Sequence, residues 1–266
     1  MIKIGTSGFN YDDWRDFFYP NDLSKEQFLS YYSDRFDVLE LDFSYYQMPT
    51  ANQFDSILKQ SDGKLEFSVK AHKSMTHERT AGRADIAQFQ DAIAPLRDAG
   101  KLGAVLAQFP SSFAQTTENR AYIKHLVDNL GSPLIVELRH MNWTTDPIIN
   151  WLAKLGVGYC CVDEPQIKGL MPPVARAAAQ PAYVRFHGRN ATKWYRHNQP
   201  HERFDYRYNP RELQGWAQKI KLLESEVGKV MVFFNNHFQA KAVEGAKMLK
   251  VILRSLNPDS ATQKPV

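Results

Sequence analysis

Eight short apolar runs recur along the chain, and each is rich in Val, Ile, Leu and Phe. Polar residues do not alternate with the apolar ones inside these runs. This pattern is typical of strands that are buried on both faces of a parallel sheet. The eight predicted strands are Ile2–Gly5, Val38–Asp42, Leu65–Lys70, Gly103–Gln108, Leu134–Leu138, Val157–Val162, Ala182–His187 and Val230–Phe234.

Between most of these strands, apolar residues recur at the spacing of an amphipathic helix. Ser24 is a predicted N-cap, because Gln27 follows it three residues later, as in a capping box. We expect an irregular connection after the sixth strand, over Pro165–Gln180, since this stretch contains two adjacent prolines. The other predicted helices span Asn52–Gln60, Arg83–Ala99, Glu118–Leu130, Pro147–Leu155, Pro210–Glu226 and Ala240–Leu256.

Strands and helices that alternate eight times form either a closed barrel or a doubly wound open sheet. No glycine-rich motif of the GxGxxG or Walker type follows any predicted strand. Eight units within 266 residues favour closure, because a barrel of this kind takes about 250 residues. We therefore predict a single (β/α)8 TIM-like barrel over residues 1–256, followed by a frayed tail at residues 257–266.

Hydrophobic residues make up 43% of the chain, as in a packed globular protein. Cys160 and Cys161 lie in an apolar run, and we expect both to be buried thiols in a reducing compartment. The N-terminus resembles a strand rather than a signal peptide, and no apolar run approaches the ~20 residues that cross a bilayer. The expectation is a cytoplasmic protein without a membrane partner. The sequence indicates no oligomeric state.

The net charge of +4 is unevenly distributed along the chain. Between Arg185 and Arg211, seven Lys or Arg residues stand against two acids, so this segment carries the whole positive excess. A local excess of this kind points to an anionic partner that binds at one place, and nucleic acid is one candidate.

Polar residues cluster where the predicted strands end. In a TIM barrel these ends meet at one face, where the βα loops form the active site. Alternation along a strand places Glu137 and Arg139 on one side of strand five, and Arg185 and His187 on one side of strand seven. The candidate catalytic residues are Glu40, Asp42, Lys70, Glu137, Asp163 and His187. The candidate ligand-binding residues are Ser7, Tyr11, Tyr46, His77, Gln108, Arg139, Trp143, Arg185, Arg189, Asn235 and Asn236.

A further pattern of motifs runs from the first predicted strand to the last. It comprises Gly5-Thr6-Ser7-Gly8 with Tyr11 and Trp14, Phe18-Tyr19-Pro20, Glu40-Leu41-Asp42-Phe43-Ser44-Tyr45-Tyr46, Phe67-Ser68-Val69-Lys70-Ala71, Thr76-His77, Gln108-Phe109-Pro110, Val136-Glu137-Leu138-Arg139 with Trp143, Asp163 with Pro165, Val184-Arg185-Phe186-His187-Gly188-Arg189, and Phe234-Asn235-Asn236. This set resembles the YecE-like family, the domain-of-unknown-function seventy-two group. The resemblance implies a barrel fold, and the family's name states that its activity is unassigned. The chain departs from the family at Phe9 and Asp42, where Trp and Asn are usual.

The first functional hypothesis is a phosphate-bearing ligand, either nucleic acid or a nucleotide-like ester. After strand seven, basic residues are interleaved with aromatic ones, a composition that suits phosphates and stacked bases. A loop whose rings pack on the barrel rim while its charges face water is the alternative. The residues concerned are Arg189, Lys193, Trp194, Tyr195, Arg196, Arg203, Phe204, Tyr206, Arg207 and Tyr208.

A sharper version is a phosphodiester hydrolase similar to the endonuclease-four group of barrels. Glu137, Asp163 and His187 end strands five, six and seven, in an order that suits a divalent metal. Against this hypothesis, strand eight ends in Asn235 rather than an acid, and basic residues compete for the same space. We therefore predict no bound metal and no cofactor.

Two other classes stay open. A metal-free sugar-phosphate isomerase or lyase would use Glu40 or Glu137 as the base, and Lys70 or His187 as the acid or electrophile. Lys70 is also a candidate for a Schiff base. A non-catalytic binding module is consistent with the absence of GxSxG and HExxH motifs. A separate alternative is that Glu40, Lys70, Glu137 and Arg185 form a structural ion-pair network that holds the barrel mouth.

Overall fold

The computed structural model describes residues 1–131 and 133–256, and within them eight parallel strands close into one barrel in sequence order. Each strand pairs with the next, and the eighth pairs with the first. The predicted (β/α)8 barrel is confirmed, with strand ends shifted by one or two residues. The strands are β1 Ile2–Ser7, β2 Val38–Leu41, β3 Glu66–Lys70, β4 Leu102–Gln108, β5 Leu134–Glu137, β6 Gly158–Asp163, β7 Ala182–Phe186 and β8 Val230–Phe234.

Helices surround the barrel and bury its outer face. They are α1 Phe28–Ser33, α2 Phe43–Tyr46, α3 Ala51–Gln60, α4 Lys73–Thr76, α5 Arg83–Asp98, α6 Thr117–Leu130, α7 Asp146–Lys154, α8 Pro210–Val227 and α9 Lys241–Ser255. Short 3-10 turns occur at Asp12–Trp14, Lys25–Gln27, Met141–Trp143, Pro200–Phe204 and Phe238–Ala240. The connection between β6 and β7 is irregular, as expected. The tail predicted at residues 257–266 lies outside the described residues.

Capping side chains explain where two helices begin. Ser24 and Gln27 form the predicted capping box, and the 3-10 turn there leads directly into α1. Asn209 caps α8 by accepting a hydrogen bond from the Glu212 backbone N–H at 3.0 Å, and Glu212 accepts one from the Asn209 N–H at 2.9 Å. Pro210 occupies the first helical position, where no backbone donor is needed. These capping contacts fix the residues at which the two helices begin.

Aromatic packing joins β7 and β8 to the helices outside them. The rings of Phe186 and Phe234 stack at 4.4 Å, and Trp216 of α8 meets Phe186 edge-on at 5.3 Å. On α9, a Cβ at Gly245 would lie 2.6 Å from the Phe234 ring, so the close approach of this helix requires glycine.

The N-terminal end of the barrel is closed by charged side chains. Glu66 of β3 pairs with Lys3 of β1, with 2.8 Å between the ammonium and a carboxylate oxygen, and it also pairs with Lys229 just before β8. The opposite, C-terminal end carries the polar groups predicted from the sequence. Within the part of the chain that the structure covers, no helix combines the length and apolarity needed to cross a membrane.

Asp163, at the end of β6, points outward and anchors the segments that lead into α8. Its buried carboxylate accepts hydrogen bonds from Tyr208 at 2.8 Å, from Trp216 Nε1 at 2.5 Å, and from Arg189 Nε and Nη2 at 2.8 and 2.7 Å. Arg189 also pairs with Glu212 of α8 at 3.1 Å. This carboxylate therefore serves the outer layer of the fold.

We predict that Asp163→Ala lowers the free energy of unfolding by about 3–5 kcal/mol, because it removes the acceptor of two buried donors and one of the two acids that pair with Arg189. Urea denaturation measures the change. Asp55→Ala, on the exposed side of α3, is the control and should change stability by less than about 0.5 kcal/mol. An unchanged unfolding midpoint for Asp163→Ala would show that the contacts of Asp163 do not stabilise the fold.

Candidate functional site

A cleft of about 370 Å³ opens at the C-terminal end of the barrel. Its floor is formed by inward-facing residues at the strand ends, and its rim by residues from the βα loops. Charged, amide and aromatic side chains all contribute. The lining residues are Tyr11, Asp42, Tyr46, Lys70, His77, Gln108, Pro110, Ser111, Arg139, Leu170, Arg185, Trp194, Tyr195, Arg203, Phe204, Asn235 and His237.

Beneath the cleft, Arg185 joins two buried carboxylates that come from distant strands. Its Nη2 lies 2.6 Å from Glu40 Oε1, and its Nη1 lies 2.6 Å from Glu137 Oε2. Both carboxylates are fully buried, and Arg185 is 3% exposed. The pairing joins β2, β7 and β5 across the barrel.

The same arrangement continues through Arg139 on the other side of Glu137. The Arg139 Nε lies 2.5 Å from Glu137 Oε1, and its Nη1 lies 2.6 Å from Glu164 Oε2. Glu164 also accepts a hydrogen bond from the Met171 N–H at 2.9 Å. We call Glu40, Arg185, Glu137, Arg139 and Glu164 the ion-pair chain, because acids and bases alternate along it.

Neutral groups complete the hydrogen bonding of the ion-pair chain. Ser7 and Tyr183 donate to Glu40 at 2.5 and 2.6 Å, and Tyr183 also contacts Ser68 Oγ at 2.7 Å. The Nε2 of buried His187 lies 2.8 Å from Arg139 Nη2, and its Nδ1 lies 3.0 Å from the Asn235 amide.

The charges of the ion-pair chain shift its pKa values. Burial raises the pKa of Glu137, but Arg139 and Arg185 lower it by more, and the pKa lies well below its ordinary value. Burial and the Arg139 guanidinium lower the pKa of His187 to about 3. Glu137 is therefore an anion and His187 a neutral ring near pH 7, which leaves neither in the protonation state of a general acid.

Lys70, at the end of β3, faces the cleft without an ion-pair partner. Among the described residues, no carboxylate oxygen lies within 4.0 Å of its ammonium group, which lies 4.2 Å from the centre of the Tyr45 ring. Burial and the nearby Arg185 charge lower the pKa of Lys70 to about 8. This amine therefore changes its charge close to neutral pH.

Asp42, directly after β2, also lines the cleft. Burial and the Glu40 charge raise the pKa of its carboxyl, although Lys70 and Arg185 oppose the shift. Asp42 and Lys70 are thus an acid and a base whose pKa values have moved towards neutrality, in contact with the same cavity. Such a pair is a general acid–base candidate.

The first βα loop places Tyr11 on the cleft wall. Gly8 adopts φ +76°, and a Cβ there would lie 2.4 Å from the Tyr11 hydroxyl, so glycine lets the ring fold back over the strand end. The Tyr11 hydroxyl donates to the Ser7 carbonyl at 3.1 Å, and its ring stacks on His237 at 4.6 Å. Burial and the Asp42 charge raise the pKa of Tyr11, which keeps its hydroxyl protonated.

The segment between β7 and α8 covers one side of the cleft. Arg203 lies over the Trp194 ring, 4.7 Å from its centre, and the Arg203 Nε is buried without a hydrogen-bond partner in the described part of the chain. Phe204 and Tyr195 line the same side. The basic and aromatic residues that the sequence assigned to a phosphate-binding loop thus partly face the cleft.

Several residues predicted for the site lie elsewhere. Asp163 and Arg189 pair with each other outside the barrel. Trp143 is buried and donates to the Phe113 carbonyl at 2.7 Å, so it supports the rim from beneath. Asn236 is buried and donates to the Tyr206 carbonyl at 2.7 Å.

The residues predicted for the site that do line the cleft come from the ends of seven of the eight strands or the loops that follow them, and β6 is the exception. They are Tyr11, Asp42, Tyr46, Lys70, His77, Gln108, Arg139, Arg185 and Asn235. Glu40, Glu137, His187 and Ser7 lie beneath them and hold Arg185 and Arg139 in place.

Sequence reasoning missed Glu164 and Tyr183, which complete the ion-pair chain and its hydrogen bonding. Tyr183 could have been found, because it lies two residues before Arg185 and therefore on the same side of β7. Glu164 follows Asp163 directly, and the apolar run before them does not indicate which of the two points inward. His237, which was not among the predicted site residues, lines the cleft and packs its ring on Tyr11.

The hydrolase hypothesis needs Glu137, Asp163 and His187 to meet around one metal, and the structure separates them. Asp163 points outward, and both oxygens of Glu137 face arginines. Across residues 1–131 and 133–256, no group of three or more His, Cys, Asp or Glu side chains is arranged to hold a metal ion. This geometry does not support the metal-dependent interpretation.

Comparisons with known proteins agree with the fold and with the family resemblance. The family model described as "Protein of unknown function DUF72" matches residues 3–265. The UPF0759 protein YunF of Bacillus subtilis is 32% identical over an alignment of 270 positions, which covers 95% of each chain. A crystal structure of a DUF72 family protein from Thermotoga maritima superposes with a TM-score of 0.88 at 34% identity, over 96% of this chain and 99% of that one.

A second solved structure, of a DUF72 family protein from Enterococcus faecalis, gives a TM-score of 0.84 at 26% identity and covers 96% of both chains. The match to the family model and the agreement with these relatives each extend over nearly the whole chain. The chain belongs to the DUF72 family, a family of (β/α)8 barrels of unknown function.

Proposed function

We propose that the protein binds a small phosphate-bearing ligand in the cleft at the barrel mouth, with Lys70 and Arg203 as the cations that meet the phosphate. One observation supports this above all. Within the described residues, neither cation has a carboxylate partner, whereas Arg139, Arg185 and Arg189 are each paired with two acids. A buried or half-buried cation without a counter-ion favours an anionic ligand.

This proposal changes which residues are expected to bind the anion. The sequence favoured Arg139, Arg185 and Arg189. Arg189 lies outside the barrel, where it pairs with Asp163 and Glu212, and it therefore does not meet the other two arginines. Lys70 and Arg203 both line the cleft, and within the described residues neither pairs with a carboxylate. The proposed partner is still an anion, but Lys70 and Arg203 replace the three arginines as the cations expected to bind it.

A small ligand suits the cleft better than a nucleic acid strand. A cavity of about 370 Å³ is at the lower end of the usual range for small-molecule sites. In the segment after β7, Lys193 pairs with Glu202, and Arg207 pairs with Glu244. Internal acids thus neutralise much of the local charge excess that a polyanion would need.

A metal-free isomerase or lyase is our proposal for the chemistry, and the pair of Lys70 and Asp42 favours it. A lysine with a pKa of about 8 is neutral in roughly a tenth of molecules at pH 7, and the neutral amine can accept a proton from carbon. Arg203 would then hold the phosphate, and the raised pKa of Asp42 would allow it to return a proton.

We predict that Lys70→Met weakens binding of inorganic phosphate at least tenfold, roughly the loss of one charge-assisted hydrogen bond. Isothermal titration calorimetry at pH 7 measures the dissociation constant. Lys73→Met is the matched control, because Lys73 pairs with Glu78 and does not line the cleft. Equal affinity in wild type and both variants would remove Lys70 from the proposed site.

The affinity should also depend on pH with a definite sign. The Lys70 pKa is lowered to about 8, so its cationic form is present below pH 8 and is lost above it. Phenyl phosphate is a dianion throughout, because its second pKa is about 6. We expect its dissociation constant to rise about eightfold between pH 7.5 and 9 in the wild type.

The Lys70→Arg variant keeps a positive charge at this position from pH 7.5 to 9. It therefore tests whether deprotonation of Lys70 causes the loss of affinity. Its affinity for phenyl phosphate should stay nearly constant from pH 7.5 to 9. A parallel decline in this variant would mean that another group is responsible for the pH dependence.

The proposed proton transfer predicts exchange with solvent. In deuterated water, wild-type protein should replace the hydrogen next to the carbonyl in at least one member of a panel of aldose and ketose phosphates, as observed by proton NMR. Lys70→Met should slow this exchange by about 10²–10⁴-fold. Phosphate binding without exchange in any member of the panel would favour a non-catalytic binding module.

A further inference from the structure

A second cavity, of about 620 Å³, opens beside the cleft between the first βα loop and helices α2 and α3. We call it the side cavity. It is lined by Gly8, Phe9, Asn10, Tyr11, Leu41, Asp42, Phe43, Tyr46, Gln53, Ser56, Ile57 and His237. The proposed function makes no use of it.

The side cavity adjoins the cleft. Tyr11, Asp42, Tyr46 and His237 line both spaces, so these four side chains form a shared boundary. Tyr46 is 71% exposed, so its part of the boundary lies at the protein surface. A ligand whose phosphate lies in the cleft would reach the side cavity across this exposed ring.

The two spaces differ in chemistry. Lys70, Arg139, Arg185 and Arg203 bring charge to the cleft. The side cavity, apart from the shared Asp42 and His237, is lined by the apolar side chains of Phe9, Leu41, Phe43 and Ile57, with amide and hydroxyl groups of Asn10, Gln53 and Ser56 beside them.

We propose that the site takes a ligand in two parts: a phosphate in the cleft and a flat apolar group, such as an aromatic ring, in the side cavity. This inference rests on the proposed phosphate site and names the class of ligand, an aryl phosphate or a compound of similar shape. The apolar walls provide affinity through burial, and the shared boundary sets the length between the two parts.

The experiment compares three probes by isothermal titration calorimetry: inorganic phosphate, 1-naphthyl phosphate and 1-naphthol. Ser56→Trp fills the side cavity with a large ring from an exposed helix position. Asp55→Trp adds the same ring to the neighbouring exposed position of α3, which does not line the cavity, and is the matched control.

In wild type and in Asp55→Trp, 1-naphthyl phosphate should bind roughly tenfold or more tightly than inorganic phosphate, as burial of one aromatic ring allows. Ser56→Trp should remove this advantage and leave the affinity for inorganic phosphate within about twofold of wild type. The circular dichroism spectra of both variants should match that of wild type.

Failure of the inference differs from failure of the proposed function. Equal binding of inorganic phosphate and 1-naphthyl phosphate, or an advantage that Ser56→Trp leaves intact, overturns the two-part ligand and preserves the phosphate site. Binding of 1-naphthol as tight as that of 1-naphthyl phosphate would assign the side cavity to neutral apolar molecules alone. If neither phosphate compound binds, the proposed function fails and the inference fails with it.

Discussion

The pairing of buried charges in the ion-pair chain fixes the geometry of the barrel mouth. Glu40, Arg185, Glu137, Arg139 and Glu164 alternate in sign, and each neighbouring pair lies within 2.6 Å. Buried charges are expensive to desolvate, and removing one partner of such a pair costs about 3–5 kcal/mol. The side chains are therefore held in one arrangement, and the strands that carry them are held with them.

The completeness of this pairing explains the unusual state of Lys70. Glu40 and Glu137, two of the acids whose charges act on Lys70, already face Arg185, and its ammonium is buried without a carboxylate within 4.0 Å among the described residues. Burial and like charge then lower its pKa to about 8, where a lysine can act both as a cation and as a base. The ion-pair chain thus accounts for the lowered pKa of Lys70.

The fold could be predicted from the sequence because strand burial and helix periodicity are local signals. All eight predicted strands agree with the observed ends to within two residues, since each is a short, mostly apolar run rich in Val, Ile, Leu and Phe. Period-two alternation likewise placed Glu137 with Arg139, and Arg185 with His187, on the inward side. This expectation agrees with the contacts, because Arg139, Arg185 and His187 all meet Glu137 inside the barrel.

The role of Asp163 could not be predicted in the same way. Every residue of β6 is buried, so its sequence carries no polar alternation that would show which side faces the barrel axis. Asp163 and Glu164 are neighbouring acids, and only the three-dimensional contacts show that the first binds Trp216 outside while the second binds Arg139 inside. The segment after β7 presents a similar difficulty, since composition does not show which of its basic residues are paired.

The energies of pairing also decide where an anion can bind. A phosphate placed between Arg139 and Arg185 would have to displace Glu137, and breaking that buried pairing costs about 3–5 kcal/mol. A charge-assisted hydrogen bond gains about 1.5–3 kcal/mol, so the exchange is unfavourable. Lys70 and Arg203 offer donors without this cost, because no carboxylate in the described residues must leave them. The ligand site that we propose therefore lies at the rim of the cleft, above the ion-pair chain and next to the side cavity.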